Sequence, residues 1–295
     1  MPFRRPLRVV LSLLPILLLA SCAGREVTPV PVEPPRKPVR VAVVLGAGAA
    51  KGFAHVGVLK VLEANRVPVS MIVGTSVGSF VGSLYAYGYS AYDLQKIAMD
   101  LEKGEIADLT VPDNGFVKGE KLEAYVNRMI RGTTMENLRI PFYAVATDIG
   151  SGKETVFGKG NTGSAVRASC SIPGVFRPVR IGDRTYVDGG VVSPVAVDAA
   201  RRMGADLVIA VDISRGVADI TPETTLDTIF QSINVMYSKI AETQLSRADV
   251  VIHPSVGNIA SGDFTKRHEA ILEGEKAAQA ALPKIRALLG EPLVK

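Results

Sequence analysis

A central, mostly parallel β-sheet covered by helices on both faces, an α/β fold, is the architecture this sequence predicts, and three observations carry the expectation. Short runs that are apolar almost throughout, at residues 40–45, 71–74, 142–147 and 207–213, suit buried strands. Between them lie stretches whose apolar residues recur at helical spacing, and strands alternating with helices argue for a sheet layered on both sides. Two of the strand runs also end in glycine-containing bends, at residues 46–52 and 74–78, that open directly into helical patterns.

The chain begins with an address. Arg4, Arg5 and Arg8 precede an apolar run at residues 9–20 (VVLSLLPILLLA), and small residues lead into Cys22, the order of a secretory signal at residues 1–21. A transmembrane helix is the alternative, but the run is short of the roughly 20 residues a span needs, and Pro15 interrupts it. Leu19-Ala20-Ser21-Cys22 resembles a bacterial lipobox. That resemblance implies a lipidated Cys22, a membrane anchor through more than one acyl chain, and, with Ala23 following, sorting to the outer membrane where the host has two membranes. Residues 22–39 carry Pro29, Pro31, Pro34, Pro35 and Pro38, an expected extended tether.

Residues 40–295 are expected to form one domain. The first strand runs into Gly46-Ala47-Gly48-Ala49-Ala50-Lys51-Gly52, followed by a helix with Phe53, Val56, Val58, Leu59 and Leu62 on its apolar positions. The second strand ends in Gly74-Thr75-Ser76-Val77-Gly78, and Val77, Phe80, Val81 and Leu84 continue at helical spacing. This is the setting of a nucleophile elbow: a turn sharp enough to strain its central residue, with room only for glycine two residues before and two after. Helices are expected at 91–101, capped by Ser90, and at 119–131. A strand at 142–147, a turn at 148–152 and a strand at 154–157 follow, then a short helix at 162–169. Residues 179–181 and 185–187 suit a hairpin closed by Gly182-Asp183, leading to Asp188-Gly189-Gly190. Helices at 194–203, 224–246 and 266–289, with strands at 207–213 and 250–253, complete the chain.

Composition excludes several functions. The formal charge of +5 rests partly on the three arginines of the leader, and no basic stripe interleaved with aromatics invites nucleic acid. The glycines at 46, 48 and 52 are one residue too widely spaced for a dinucleotide fingerprint, and no Gly-Lys-Ser/Thr closes a phosphate loop. Three scattered histidines and one cysteine beyond Cys22 supply no metal-ligand spacing, so no metal or cofactor is expected. Cys170 reads as a small buried side chain. The small residues at 46–52 instead suit an oxyanion hole, where backbone N–H groups can approach a substrate oxygen closely.

Four blocks stand in one order: the first glycine bend, Gly74-Thr75-Ser76-Val77-Gly78, Ala168-Ser169-Cys170-Ser171-Ile172-Pro173-Gly174-Val175-Phe176, and Asp188-Gly189-Gly190. Together, over about residues 41–213, they resemble the patatin-like phospholipase family, in its bacterial branch. The resemblance implies that family's three-layer fold and a serine hydrolase acting on phospholipid or lysophospholipid esters with a Ser–Asp dyad. By motif position, Ser76 is the implied nucleophile, Asp188 the proton acceptor, and the amides of Ala47, Gly48 and Ala49 the oxyanion hole. Lys51 stands where the family usually has arginine, which keeps a cation but loses the planar fork. Two alternatives stay open at this point. Ser76, Asp188 and His253 satisfy the chain order of an α/β-hydrolase triad, and the chain could be a lipid-binding lipoprotein with an idle Ser76. His55 reads as a packing or surface residue, and His268 as solvated.

Overall fold

A computed structural model describes residues 39–110, 115–214 and 222–290. The chain divides into two units, residues 1–38 and 39–295, and the described residues all belong to the second. The leader, Cys22 and the tether up to residue 38 lie outside them. In chain order the elements are β1 (Val41–Leu45), α1 (Phe53–Ala64), β2 (Val69–Thr75), α2 (Val77–Tyr87), α3 (Ala91–Asp100), α4 (Lys103–Ile106), α5 (Glu120–Met129), β3 (Phe142–Asp148), β4 (Lys153–Phe157), α6 (Thr162–Ser169), β5 (Val179–Ile181), β6 (Arg184–Asp188), α7 (Val197–Arg202), β7 (Leu207–Val211), α8 (Thr225–Leu245), β8 (Val250–Ile252) and α9 (Arg267–Leu289).

The sheet runs in the order β5-β6-β3-β2-β1-β7-β8, and β4 pairs with β3 off this path. Strands β3, β2, β1, β7 and β8 are mutually parallel, whereas β4, β6 and β5 join in antiparallel pairs. Successive side chains of a strand point to opposite faces, and both sets are buried here. Val41, Val43 and Leu45 of β1 pack in one cluster with α1, α2 and α9, while Ala42 and Val44 pack in another with α7 and Ala241 of α8. Helices therefore cover both faces, as the unbroken apolar runs require.

Three departures from the sequence expectation have a visible cause. β7 stops at Val211 because Asp212 turns its carboxylate back on the backbone, its Oδ1 accepting from Ser214 N at 2.9 Å. α7 begins only at Val197, since the Pro194 carbonyl and the Val195 amide are engaged elsewhere, by Ala47 N and by Gln244 Oε1. Residues 103–106 form a short helix with no apolar period, held by a reciprocal cap between Glu102 and Glu105. Among the described residues no helix is long and apolar enough to cross a membrane.

One feature of the pairing determines where the chemistry lies. β4 occupies one edge of β3 along residues 144–148, and the other edge is shared by two strands. β2 lies beside residues 142–145 in parallel, and β6 lies beside residues 146–148 antiparallel. The two strands thus run toward each other along one edge and end nose to nose. Thr75 faces Val145 and Asp188 faces Ala146, consecutive residues of β3, about 3.3 Å apart along the strand.

Candidate active site

Ser76 is the first residue beyond the end of β2. Its backbone, at φ 56° and ψ −127°, lies outside the regions that side chains favour, a strain of order 1–3 kcal/mol. Neighbouring bonds hold it there. Ser76 N donates to Ser169 Oγ at 2.9 Å, and that hydroxyl donates onward to Val145 O at 2.6 Å, tying the turn to β3. Ser76 O accepts from Ser79 Oγ at 2.7 Å and from two amides of the first turn of α2. Glycine is required on both sides: a Cβ at Gly74 would stand 2.5 Å from Gly78 O, and one at Gly78 would stand 2.0 Å from Leu45 O.

Asp188 is fully buried and gripped through its backbone. Its N–H donates to Ser171 O at 2.8 Å, and its carbonyl accepts from Thr147 Oγ1 at 3.0 Å. Oδ1 accepts from Gly190 N at 2.7 Å, whereas Oδ2 has no well-aligned donor among the described residues. Burial pushes the carboxyl up to about 6, against the opposing influence of the Ser76 hydroxyl, the Gly190 amide and the Tyr237 hydroxyl. A carboxylate that clings to a proton this strongly, beside a serine hydroxyl, is a competent general base near neutral pH. Gly189 is obligatory as well, for its Cβ would stand 2.1 Å from Val145 O and 3.0 Å from Thr75 Cγ2.

The first glycine bend corrects one expectation. The Ala47 amide donates to Pro194 O at 2.9 Å and is not free for a substrate, because the bend is pinned there to the segment before α7. Gly46 N is likewise held by Val211 O, and Ala50 N by Ser261 O. The amides of Gly48 and Ala49 have no acceptor among the described residues, nor do those of Val77 and Gly78 at the start of α2. Gly52 admits Val77, whose Cγ2 would stand 2.2 Å from a Cβ there.

His55, expected to be a packing or surface residue, is buried and supports this bend, its Nε2 standing 2.8 Å from Gly46 O. Burial pushes its pKa down to about 4, so the ring is neutral and donates to the carbonyl. Lys51 is 2% exposed, and burial lowers its pKa against the attraction of Asp212.

His253 goes elsewhere. Its Nδ1 stands 3.2 Å from Asp212 Oδ2. β8, which it follows, is separated from β2 by β1 and β7, three strand spacings or about 14 Å. The triad order in the sequence is therefore not assembled in space.

Ser76 opens into a cavity of about 270 Å³ whose walls are almost wholly apolar, with Phe80 and Leu84 of α2, Leu94 and Ile97 of α3, and Phe264 among them. Cys170 also lines it, and burial pushes its thiol well up, so it stays protonated. Such a channel beside a serine suits an acyl chain. Ser169, Thr147 and Tyr237 are the site residues that sequence reasoning left without a role. Ser169 lay in a motif block, whereas Tyr237 lay in none.

A family model described as patatin-like phospholipase matches residues 43–201. Patatin-like phospholipase domain-containing protein 6 of Mus musculus is 36% identical over 202 residues, which are 66% of this chain and 14% of that protein. Lysophospholipase nte1 of Aspergillus fumigatus is 32% identical over 195 residues, 64% of this chain and 13% of that protein. The chain therefore matches only a small part of the length of these relatives. The crystal structure of VipD from Legionella pneumophila is similar with a TM-score of 0.59, covering 84% of this chain and 67% of VipD at 14% identity, which shows a shared fold.

Proposed function

The chain belongs to the patatin-like phospholipase family, and from that premise we propose that it is a serine acyl hydrolase that cleaves carboxylic esters of phospholipids or lysophospholipids. The observation that carries this reading is the meeting of the Ser76 elbow with a buried Asp188 of raised proton affinity beside an apolar cavity. Asp188 takes the Ser76 proton as Oγ bonds to the ester carbonyl carbon. The resulting oxyanion is met by the free amides of Gly48 and Ala49, donors of a type typically worth about 2.7–4 kcal/mol each in the transition state. On collapse the bond to the alcohol breaks, and Asp188 returns the proton to the departing oxygen. Water, activated by the same carboxylate, then releases the fatty acid from the acyl-enzyme. The apolar cavity holds the acyl chain throughout, and no step calls for a cofactor.

In this reading the enzyme works at a membrane, anchored through a lipidated Cys22 and, where the host has two membranes, facing the periplasm from the outer membrane. Incorporation of radiolabelled palmitate into the full-length chain, lost on Cys22→Ser, tests the anchor. The hydrolase reading is tested by incubating the full-length chain with phosphatidylcholine, lysophosphatidylcholine and simple esters, and by labelling with a fluorophosphonate. Fatty-acid release and a covalent adduct are expected, both lost in Ser76→Ala. A chain that binds these lipids without an adduct at Ser76 would instead be a lipid-binding module.

A further inference from the structure

α8 lies beyond the segment matched by the family model, yet it closes over the back of Asp188. Tyr237, on its fourth turn, is 4% exposed and lays its ring against Gly190. A Cβ at Gly190 would stand 2.3 Å from the ring Cζ and 2.7 Å from the phenol oxygen, so only glycine admits this ring. The Gly190 amide holds Asp188 Oδ1. The phenol oxygen is therefore carried to the same carboxyl group, where it interacts with Asp188. Tyr237 Oη and Asp188 Oδ2 are both buried, and neither has a well-aligned partner among the described residues. One is a donor and the other an acceptor, and buried polar groups are rarely left unmatched.

We propose that Tyr237 is a positioning residue for the hydrolysis, its O–H donating to Asp188 Oδ2 and fixing the carboxyl plane so that a lone pair of that oxygen faces the Ser76 hydroxyl. The inference rests on the Ser76–Asp188 reading of the site. An ionised carboxylate oxygen has room for two donors, so Oδ2 accommodates the phenol and the serine together. The serine proton moves to Oδ2 and later leaves with the alcohol, while Tyr237 keeps its own proton throughout. Burial and the charge of Asp188 push its pKa well above the ordinary phenol value. The other titratable group facing Asp188 among the described residues is Cys170, from the end of α6, which also stays uncharged.

Tyr237→Phe in the full-length chain keeps the ring on Gly190 and removes only the hydroxyl. A lost donor to the anion raises its proton affinity, so the acid limb of the kcat/KM profile should move to higher pH by about 0.5–1 unit, with KM little changed. A second measurement needs neither the variant's fold nor turnover. In the unsubstituted chain the ¹³Cζ resonance of Tyr237 should shift with a midpoint near 6, the value of Asp188, and Asp188→Asn should flatten it. An unmoved acid limb in a folded Tyr237→Phe, or a Tyr237 resonance that ignores pH, overturns the inference. Retention of hydrolysis by Ser76→Ala would instead overturn the reading on which it rests, and the resonance titration tells the two failures apart.

Discussion

Asp188 and Asp212 stand at the ends of two strands of one sheet, each almost wholly buried, at 0% and 2% exposure, and their proton affinities are opposite. Burial raises both. At Asp188 burial wins, because a single backbone amide and two poorly aligned hydroxyls are all that oppose it, and the carboxyl is pushed up to about 6. At Asp212 the opposing bonds win: His253 and the amide and hydroxyl of Ser214 hold the carboxyl below its ordinary value. Desolvation alone does not make a catalytic base. It does so only where the protein withholds the donors that would settle the charge, and the better-solvated carboxylate is the one that attracts the histidine and the buried Lys51.

The sharpest way to break this comparison is Asp188→Asn, which keeps the shape and the bond from Gly190 but removes the proposed base. Hydrolysis should fall by about 10²–10⁴-fold, read as kcat on a lysophospholipid. Stability should move the other way. The folded carboxyl titrates near 6 and the ordinary value is 3.8, so the folded state holds the proton more tightly. The destabilisation is absent below about pH 4 and grows as pH rises through 6. Denaturant midpoints should therefore coincide at pH 4, with Asp188→Asn more stable by about 1–3 kcal/mol at pH 7.5. A variant less stable at every pH would mean that the donors around Asp188 satisfy it after all.

This contrast also separates what the sequence discloses from what it does not. Strands such as residues 41–45 and 142–147 are legible because burial on both faces removes nearly every polar position. The elbow is legible because the crowding at Gly74 and Gly78 is a property of one tight turn. The meeting of Thr75 and Asp188 on β3 is a matter of register between three distant segments, and no local pattern encodes it. Ala47 looks identical to Ala49 in sequence, and only the placement of Pro194 takes its amide away. His253 follows Ser76 and Asp188 in the chain order of a triad, but Asp212 and His253 end neighbouring strands, and that other carboxylate is its partner. Tyr237 is one aromatic on a long amphipathic helix, and its signal is the glycine it presses on.

Asp212→Asn sharpens the comparison from the other side. It leaves the buried Lys51 without the charge that attracts it, and leaving a buried polar group less well satisfied costs about 1–3 kcal/mol. A loss at the lower end of that range is expected at pH 7, seen as a lowered midpoint. The sign of its pH dependence is opposite to that of Asp188. The contribution of Asp212 is complete above its ordinary value of 3.8 and disappears as pH falls through the lower folded value, so parent and variant should converge only in acid. Activity of the folded fraction at 20 °C should stay within about tenfold of the parent, since Asp212 supports the bend without touching the reacting atoms.

The smallest effect is expected from His253→Ala, and it decides between the two carboxylates as partners of the serine. The imidazole is 32% exposed and paired with Asp212, and pairs this open to water contribute about 0–1 kcal/mol. Three strand spacings, about 14 Å, separate its strand from β2. kcat/KM should therefore remain within about threefold of the parent across the pH range, because in the proposed mechanism no proton passes through the ring. If His253→Ala lost activity as fully as Ser76→Ala, the register on β3 would not be the arrangement that reacts, and the serine would have to reach toward the carboxylate that already holds a histidine.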